Sequence, residues 1–155
     1  MKVSEVMTAR VISIQKECSI LDVMKLMKDK NVGFVVIEEN KEAIGVITDR
    51  DIVLSLSKEI SYHTSISKIM KKYVISINER IEISEACDIM GYMQVRRLVV
   101  VNDSNKIVGV LSLSDLAKCT LTEEMALETL IEISYDYPTK NFENDNLFQI
   151  SAYIF

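Results

Sequence analysis

The strongest constraint on the fold of this chain is an internal repeat in its sequence. Residues 11–14 read VISI, and an identical VISI stands 63 residues later at residues 74–77. Residues 44–52 recur in similar form at residues 108–116, after the insertion of one residue. Two related copies of about 60 residues indicate a duplicated structural unit rather than a solenoid, which requires more copies.

The repeat predicts three parts of the chain. We expect a first repeat at residues 1–60, a second repeat at residues 61–120, and an additional segment at residues 121–155. The motif VSEVM at residues 3–7 aligns with ISKIM at residues 66–70. On this basis each motif opens its own repeat.

Each copy predicts the order strand, helix, strand, strand, helix. Short β-branched runs predict the strands, and apolar residues at helical spacing after the capping-box pair Ser19 and Asp22 predict the first helix. The other predicted elements cover residues 11–14, 34–37, 44–47 and 51–56 in the first copy, and residues 74–77, 83–90, 98–101, 107–111 and 115 onward in the second. We therefore expect an α/β (α+β) fold of two three-stranded sheets, each with helices on one face, stacked sheet against sheet with pseudo-two-fold symmetry.

The composition is typical of a compact intracellular protein. The chain has 155 residues, of which 48% are hydrophobic, and this content is enough for a substantial core. Its apolar runs are far shorter than the ~20 residues of a membrane-spanning helix, and residues 1–5 lack the apolar region of a signal peptide. We therefore predict a cytoplasmic protein that does not associate with membranes.

Charge and cysteine content argue against nucleic-acid binding and metal binding. Residues 1–122 carry 17 basic and 16 acidic side chains, whereas residues 123–155 carry one basic and seven acidic side chains. Neither part has the concentrated basic face of a nucleic-acid binder. Cys18, Cys87 and Cys119 form no CxxC pair, and we expect them to be reduced thiols rather than metal ligands.

The sequence also argues against catalysis. It shows neither a nucleophile with its base nor a Walker-type phosphate loop, and it contains only four glycines and one histidine. We therefore predict that the protein is not an enzyme and needs no catalytic cofactor. A nucleotide hydrolase is the least favoured of the functions considered.

Three motifs occur in the same order in both copies. They are Val-x-x-Val-Met, which reads Ile-x-x-Ile-Met in the second copy, the strand Val-Ile-Ser-Ile, and Gly-h-h-Thr/Ser-x-x-Asp, where h is apolar. Together they resemble the CBS domain family, whose members occur as tandem pairs called Bateman modules. The resemblance covers residues 1–120, and the second copy is similar to the last repeat of AMP-activated kinase gamma subunits. The resemblance implies a regulatory module with a cleft for an adenosine-containing ligand between the repeats.

The resemblance also implies the residues that bind this ligand. Asp51 and Asp115 are expected to bind the ribose, because a carboxylate offers two acceptor oxygens to the two hydroxyls. Thr48, Ser112 and Ser114 are candidates for hydroxyl or phosphate contacts, although Thr48 and Ser112 also fit a compatible role as helix caps. An adenine slot is expected from Val11, Ile12, Ser13, Val35, Val74, Ile75, Ser76 and Leu98, for which a plain core role remains open.

Three arginines are candidates for phosphate binding, because a guanidinium group offers paired donors. Arg96 and Arg97 stand in the second copy at positions that carry no cation in the first copy. Arg50 is the only nearby cation that we identify in the first copy. The resemblance implies that Arg96 and Arg97 are phosphate ligands or interface groups, and a solvated surface position is the alternative for each of the three arginines. We therefore expect the second site to suit a charged phosphate better.

These features lead to two main hypotheses. In the first, AMP, ADP, ATP or S-adenosylmethionine binds the module and alters its association with a regulated partner protein. In the second, the protein is a structural dimerisation or adaptor module that works without ligand. Beyond the repeats, a helix is predicted to begin at Thr122. The apolar residues 147–155 would be costly to expose in a monomer. We therefore expect a homodimer formed through helical faces, including residues 51–56 and 115–119, with a contribution from the C-terminal segment.

Overall fold

The fold is known from a computed structural model, which describes residues 1–135. The predicted apolar segment at residues 147–155 therefore lies outside the described residues. The strands are β1 Ser13–Gln15, β2 Phe34–Glu39, β3 Glu42–Thr48, β4 Ser76–Asn78, β5 Arg97–Val101 and β6 Ile107–Ser112. The α-helices are α1 Ile20–Lys30, α2 Asp49–Leu56, α3 Ile83–Met93, α4 Leu113–Lys118 and α5 Glu123–Ser134, and short 3-10 helices occupy Val3–Glu5 and Ile66–Lys68.

The predicted element order is confirmed in both copies, and the main differences lie at element boundaries. The first strand of each copy begins two residues later than expected, because the parallel ladder starts at Ser13 opposite Val36 and at Ser76 opposite Val99. The closing helix of the first copy begins at Asp49 rather than Asp51, since Thr48 is its N-cap.

The two sheets have the same topology. In the first sheet, β1 pairs with β2 in parallel and β2 pairs with β3 antiparallel. In the second sheet, β4, β5 and β6 pair in the same way. Because β2 and β5 are central strands, their apolar side chains are buried, and this explains their uninterrupted valine and isoleucine runs.

The compact units of the structure combine segments from both sequence repeats. One unit consists of Val11–Val74, and the other consists of Met1–Arg10 together with the described residues from Ile75 onward. We call them the Asp51 unit and the Asp115 unit, after the aspartate that each contains. The motif at residues 3–7 thus packs with the second repeat, and the motif at residues 66–70 packs with the first.

Hydrogen bonds and burial show how these segments are held. In the Asp115 unit, the N–H of Val3 donates to the carbonyl oxygen of Ile81 over 3.0 Å, and the side chain of Val3 is fully buried. In the Asp51 unit, the N–H of Ile66 donates to the carbonyl oxygen of Cys18 over 2.8 Å, and the side chain of Ile66 is also fully buried. Each unit therefore has its own hydrophobic core.

Helix α5 extends the Asp115 unit by packing against α3 and α4. Leu116 of α4 and Ala126 of α5 belong to the same buried cluster. The side chain of Leu116, on the closing helix of the second copy, is therefore buried within the Asp115 unit. Large apolar side chains are exposed before and on α5: Leu121 is 76% exposed, and Leu127 and Ile131 of α5 are 59% and 50% exposed.

Candidate functional site

The carboxylate of Asp51 is held at the start of α2 by a capping box. The hydroxyl and the backbone N–H of Thr48 both donate to Oδ2 of Asp51, over 2.6 and 2.9 Å. In return, the N–H of Asp51 donates to the hydroxyl oxygen of Thr48 over 3.2 Å. The predicted role of Thr48 as a helix cap is therefore confirmed.

The start of α4 repeats this arrangement. The backbone N–H of Ser112 donates to Oδ2 of Asp115 over 2.8 Å, its hydroxyl donates to the same oxygen, and the N–H of Asp115 donates back over 3.3 Å. In both units the cap uses Oδ2 of the aspartate and leaves Oδ1 to other partners.

The partners of the two Oδ1 atoms differ. In the Asp51 unit, Nζ of Lys71 lies 3.2 Å from Oδ1 of Asp51 and forms an ion pair with it. In the Asp115 unit, the hydroxyl of Thr8 donates to Oδ1 of Asp115 over 2.8 Å. Lys71 stands 63 residues after Thr8 in the sequence, so the two residues occupy equivalent positions of the repeat.

Isolated β-bridges place Lys71 and Thr8 beside the aspartates. Lys71 exchanges two backbone hydrogen bonds of 2.9 Å with Val46, and Thr8 exchanges two of 3.0 Å with Val110. Each bridge lies directly after the glycine of the Gly-h-h-Thr/Ser-x-x-Asp motif.

The glycine of that motif permits this close approach. A Cβ atom on Gly45 would lie 2.6 Å from Sδ of Met70 and 3.1 Å from the carbonyl oxygen of Lys71. Gly109 is equally close to Met7 and to the carbonyl oxygen of Thr8. The absence of a side chain at these glycines therefore lets the bridging segment lie against β3 or β6.

The electrostatic environment keeps Asp51 ionised. Partial burial raises the pKa of its carboxyl, but the hydrogen bonds from Thr48 and the ammonium of Lys71 together outweigh burial and hold the pKa below its ordinary value. The side chain of Asp51 is 14% exposed, whereas that of Lys71 is 62% exposed. A ligand can therefore reach Lys71 more easily than the carboxylate that it neutralises.

The predicted arginines lie on exposed positions. Arg97 opens β5 directly opposite Ser112, and the carbonyl oxygen of Arg96 accepts a hydrogen bond of 3.2 Å from the N–H of Leu113. The structure thus brings Arg96 and Arg97 to the end of β6 at which Ser112, Ser114 and Asp115 begin α4. Arg50 lies in the first turn of α2, between Asp49 and Asp51.

The residues expected to form an adenine slot fall into two groups. Val35 and Leu98 are fully buried in the cores of their units, and this core packing is the role that the structure shows for them. The remaining members are only partly buried and lie at or just before the starts of β1 and β4: Val11, Ile12, Ser13, Val74, Ile75 and Ser76. Their contact with an adenine ring stays a prediction.

Thr8 and Lys71 were not among the residues expected from the sequence. Their signal is visible in retrospect, because both follow a repeated methionine at matching positions of the two copies. The alignment of the two copies shows a hydroxyl in one replaced by a cation in the other, but it does not show that both side chains reach the equivalent aspartates, Asp115 and Asp51.

The described part of the chain, residues 1–135, shows neither a cluster of metal ligands nor a membrane-spanning helix. No group of three or more histidine, cysteine, aspartate or glutamate side chains in this part of the chain could hold a metal ion. None of the helices found there has both the length and the apolar character needed to cross a membrane.

Comparison with known proteins identifies the family. The family model of the CBS domain matches this chain twice, at residues 3–58 and 66–122. The chain belongs to the CBS domain family. This CBS domain protein is 33% identical over 134 residues to the CBS domain-containing protein YhcV of Bacillus subtilis, and the match covers 86% of the chain and 95% of YhcV.

Solved structures of other CBS domain proteins have the same fold. The CBS domain protein PAE2072 from Pyrobaculum aerophilum, complexed with AMP, matches with a TM-score of 0.73 and 23% identity over 84% of this chain and 99% of PAE2072. The CBS domain pair of protein MJ0100, in complex with 5'-methylthioadenosine and S-adenosyl-L-methionine, matches with a TM-score of 0.69 and 23% identity over 76% of this chain and 98% of that pair. These similarities establish the fold of this CBS domain protein.

Proposed function

We propose that this CBS domain protein is a regulatory module that binds an adenosine-containing ligand through Asp51 and Asp115. Binding would alter its association with a partner protein. The family assignment supports a binding role, and the adenosine compounds bound by PAE2072 and MJ0100 support the ligand class. On the same grounds we propose that the protein acts by binding rather than by catalysis.

The observation that carries this proposal is the equivalent arrangement of the two aspartates. In each unit, Oδ2 belongs to a helix cap, while Oδ1 contacts the side chain of an exposed residue, Lys71 or Thr8. A helix cap needs only one carboxylate oxygen. The other oxygen is therefore available to a ribose hydroxyl that replaces the exposed partner.

The remaining ligand groups are assigned to neighbouring residues. We propose that Arg96 and Arg97 contact a phosphate in the Asp115 unit, where Arg97 lies opposite Ser112 and Arg96 accepts a hydrogen bond from Leu113. Ser112 and Ser114 would contact the same phosphate or a ligand hydroxyl. Arg50 would have this role in the Asp51 unit. The expectation that the ligand lies in a cleft between the repeats, with adenine against residues 11–13 and 74–76, remains part of the proposal.

Isothermal titration calorimetry of the full chain with adenosine, AMP, ADP, ATP and S-adenosylmethionine tests the proposed function. We expect at least one compound to bind, and a variant with both Asp51→Asn and Asp115→Asn to lose most of that affinity. Asparagine keeps the size of the side chain and an oxygen for the helix cap, so the variant is expected to fold. Absence of binding by every compound would contradict the proposed function.

An adaptor that works without ligand is the second candidate, and one observation favours it. Helix α5 exposes Leu127 and Ile131, and α2 exposes Val53 and Leu54, which are 64% and 48% exposed. Leu127 and Ile131 are four residues apart and so lie on one face of α5, and contiguous apolar surface is typical of association sites. A homodimer is compatible with either function, and it is an outcome of the experiments below.

The proposed location is the cytoplasm. Cys18, Cys87 and Cys119 are all free thiols. Burial raises the pKa of the Cys87 thiol and so favours its unreactive protonated form. Unpaired thiols of this kind fit the reducing environment of the cytoplasm.

A further inference from the structure

The two aspartate sites differ in the charge of the residue that contacts Oδ1. Lys71 places an ammonium 3.2 Å from Oδ1 of Asp51, whereas Thr8 places an uncharged hydroxyl 2.8 Å from Oδ1 of Asp115. The other charged residues in the first turn of α2 are Asp49 and Arg50, which carry opposite charges. The Asp51 carboxylate thus has its counter-ion supplied by a residue outside the helix that carries it.

Lys71 combines a fixed backbone with a mobile head group. Its backbone is held by two hydrogen bonds of 2.9 Å to Val46, so the side chain always starts beside Asp51. The side chain is 62% exposed, and its four-carbon stem allows the ammonium to move over several ångströms. The ammonium can therefore leave Oδ1 and remain close to any ligand bound there.

We propose that Lys71 makes the Asp51 site selective for adenosine compounds that carry an anionic group. The proposal rests on the proposed function, because it assumes that Asp51 binds the ribose. An uncharged nucleoside must break the ion pair to reach Oδ1 and offers nothing in return to the ammonium. A nucleotide also breaks the pair, but its phosphate replaces the carboxylate as the partner of Nζ.

The Asp115 site has Thr8 in place of a lysine beside Oδ1. The hydroxyl of Thr8 carries no charge, and its short side chain reaches much less far than that of a lysine from a backbone paired with Val110. In the Asp115 unit the proposed phosphate contacts are instead Arg96 and Arg97. The two sites of one chain thus differ in the residue that recognises the ligand anion.

The test compares adenosine and AMP by calorimetry at low ionic strength. The full chain carries Asp115→Asn, so that the Asp51 site is measured alone. Lys71→Thr introduces the residue found in the other unit, and Lys71→Met removes the charge but keeps an unbranched stem. Lys72→Thr is the matched control, because it removes the same charge from the exposed neighbouring residue.

We expect the ratio of AMP affinity to adenosine affinity to fall about fivefold in both Lys71 variants, the effect of one partly exposed ion pair. The ratio should be unchanged in Lys72→Thr. Conversely, Thr8→Lys in an Asp51→Asn chain should raise the ratio of the Asp115 site.

The possible failures are distinguishable. If the unsubstituted chain binds neither adenosine nor AMP, the proposed function fails and the role of Lys71 fails with it. If the chain binds them but the ratio stays constant in folded Lys71 variants, or falls equally in Lys72→Thr, only the role of Lys71 is overturned. Thermal unfolding of each variant shows that it is folded.

Discussion

Lys71 forms an ion pair with Asp51, with 3.2 Å between Nζ and Oδ1. The equivalent residue of the other unit, Thr8, donates a hydrogen bond to Asp115 instead. Two aspartates that are equivalent in the repeat therefore present different obstacles to a ligand, an ammonium in one unit and a hydroxyl in the other. The side chain that contacts Oδ1 therefore distinguishes the two sites more clearly than the positions of the arginines do.

Replacement of Asp115 tests whether its carboxylate holds the ribose. We expect Asp115→Ala to weaken the binding of an adenosine ligand by about 1.5 to 3 kcal/mol, because hydrogen bonds to a charged acceptor are lost. Calorimetry measures this change, with Asp88→Ala on the exposed side of α3 as the control. Unchanged affinity in a folded Asp115→Ala protein would remove this residue from the site.

Replacement of Arg97 tests phosphate recognition in the Asp115 unit. In a chain that carries Asp51→Asn, we expect AMP to bind better than adenosine, and Arg97→Ala to reduce this difference. The control is Arg80→Ala, since Arg80 is an exposed arginine whose ion pair with Asp103 lies outside the proposed site. Equal affinities for adenosine and AMP before the arginine is replaced would contradict a phosphate role for Arg96 and Arg97.

The lowered pKa of Asp51 predicts a loss of stability at acid pH. Because its pKa in the folded protein lies below the value in the unfolded chain, about 3.9, the carboxylate stabilises the fold above that value. The contribution is lost as the pH falls through the lower, folded-state pKa. We therefore expect the free energy of unfolding to fall more steeply below about pH 4 in the unsubstituted chain than in Asp51→Asn.

Urea denaturation at several pH values measures this dependence. Lys71→Thr should give an intermediate slope, because the ammonium contributes only part of the shift, and Lys72→Thr should behave like the unsubstituted chain. Parallel curves for the unsubstituted chain and Asp51→Asn would show that Asp51 makes no such contribution.

The exposed apolar side chains of α5 predict self-association. We expect light scattering to show a homodimer, since a two-fold axis lets one apolar face cover its copy. Leu127→Glu combined with Ile131→Glu should shift the protein to a monomer, while Tyr73→Glu, at a position that is 66% exposed outside the helices, should not. A chain that ends at residue 138 tests the C-terminal segment, because an undiminished dimer would exclude it from the interface. A monomeric full chain would contradict the dimer itself.

Local sequence signals predicted most of the secondary structure. Ser19 with Asp22 and Thr48 with Asp51 form the expected capping boxes because a cap depends on residues only three positions apart. The valine and isoleucine runs of β2 and β5 likewise identify central strands. The start of β1 was predicted two residues too early. It depends on where β2 runs beside it and not on residues 11 and 12 themselves.

The sequence alone determined that two equivalent copies exist, that each has an aspartate after a glycine-containing strand, and that Lys71 replaces Thr8 at one matching position. Only the tertiary structure decided that the segment with Thr8 packs against the second copy and the segment with Lys71 against the first. The physical reason is that a repeat in sequence identifies equivalent residues but carries no information about which copy supplies the contact. Thr8 and Asp115 are 107 residues apart, and backbone pairing with Val110 is what brings them within hydrogen-bonding distance.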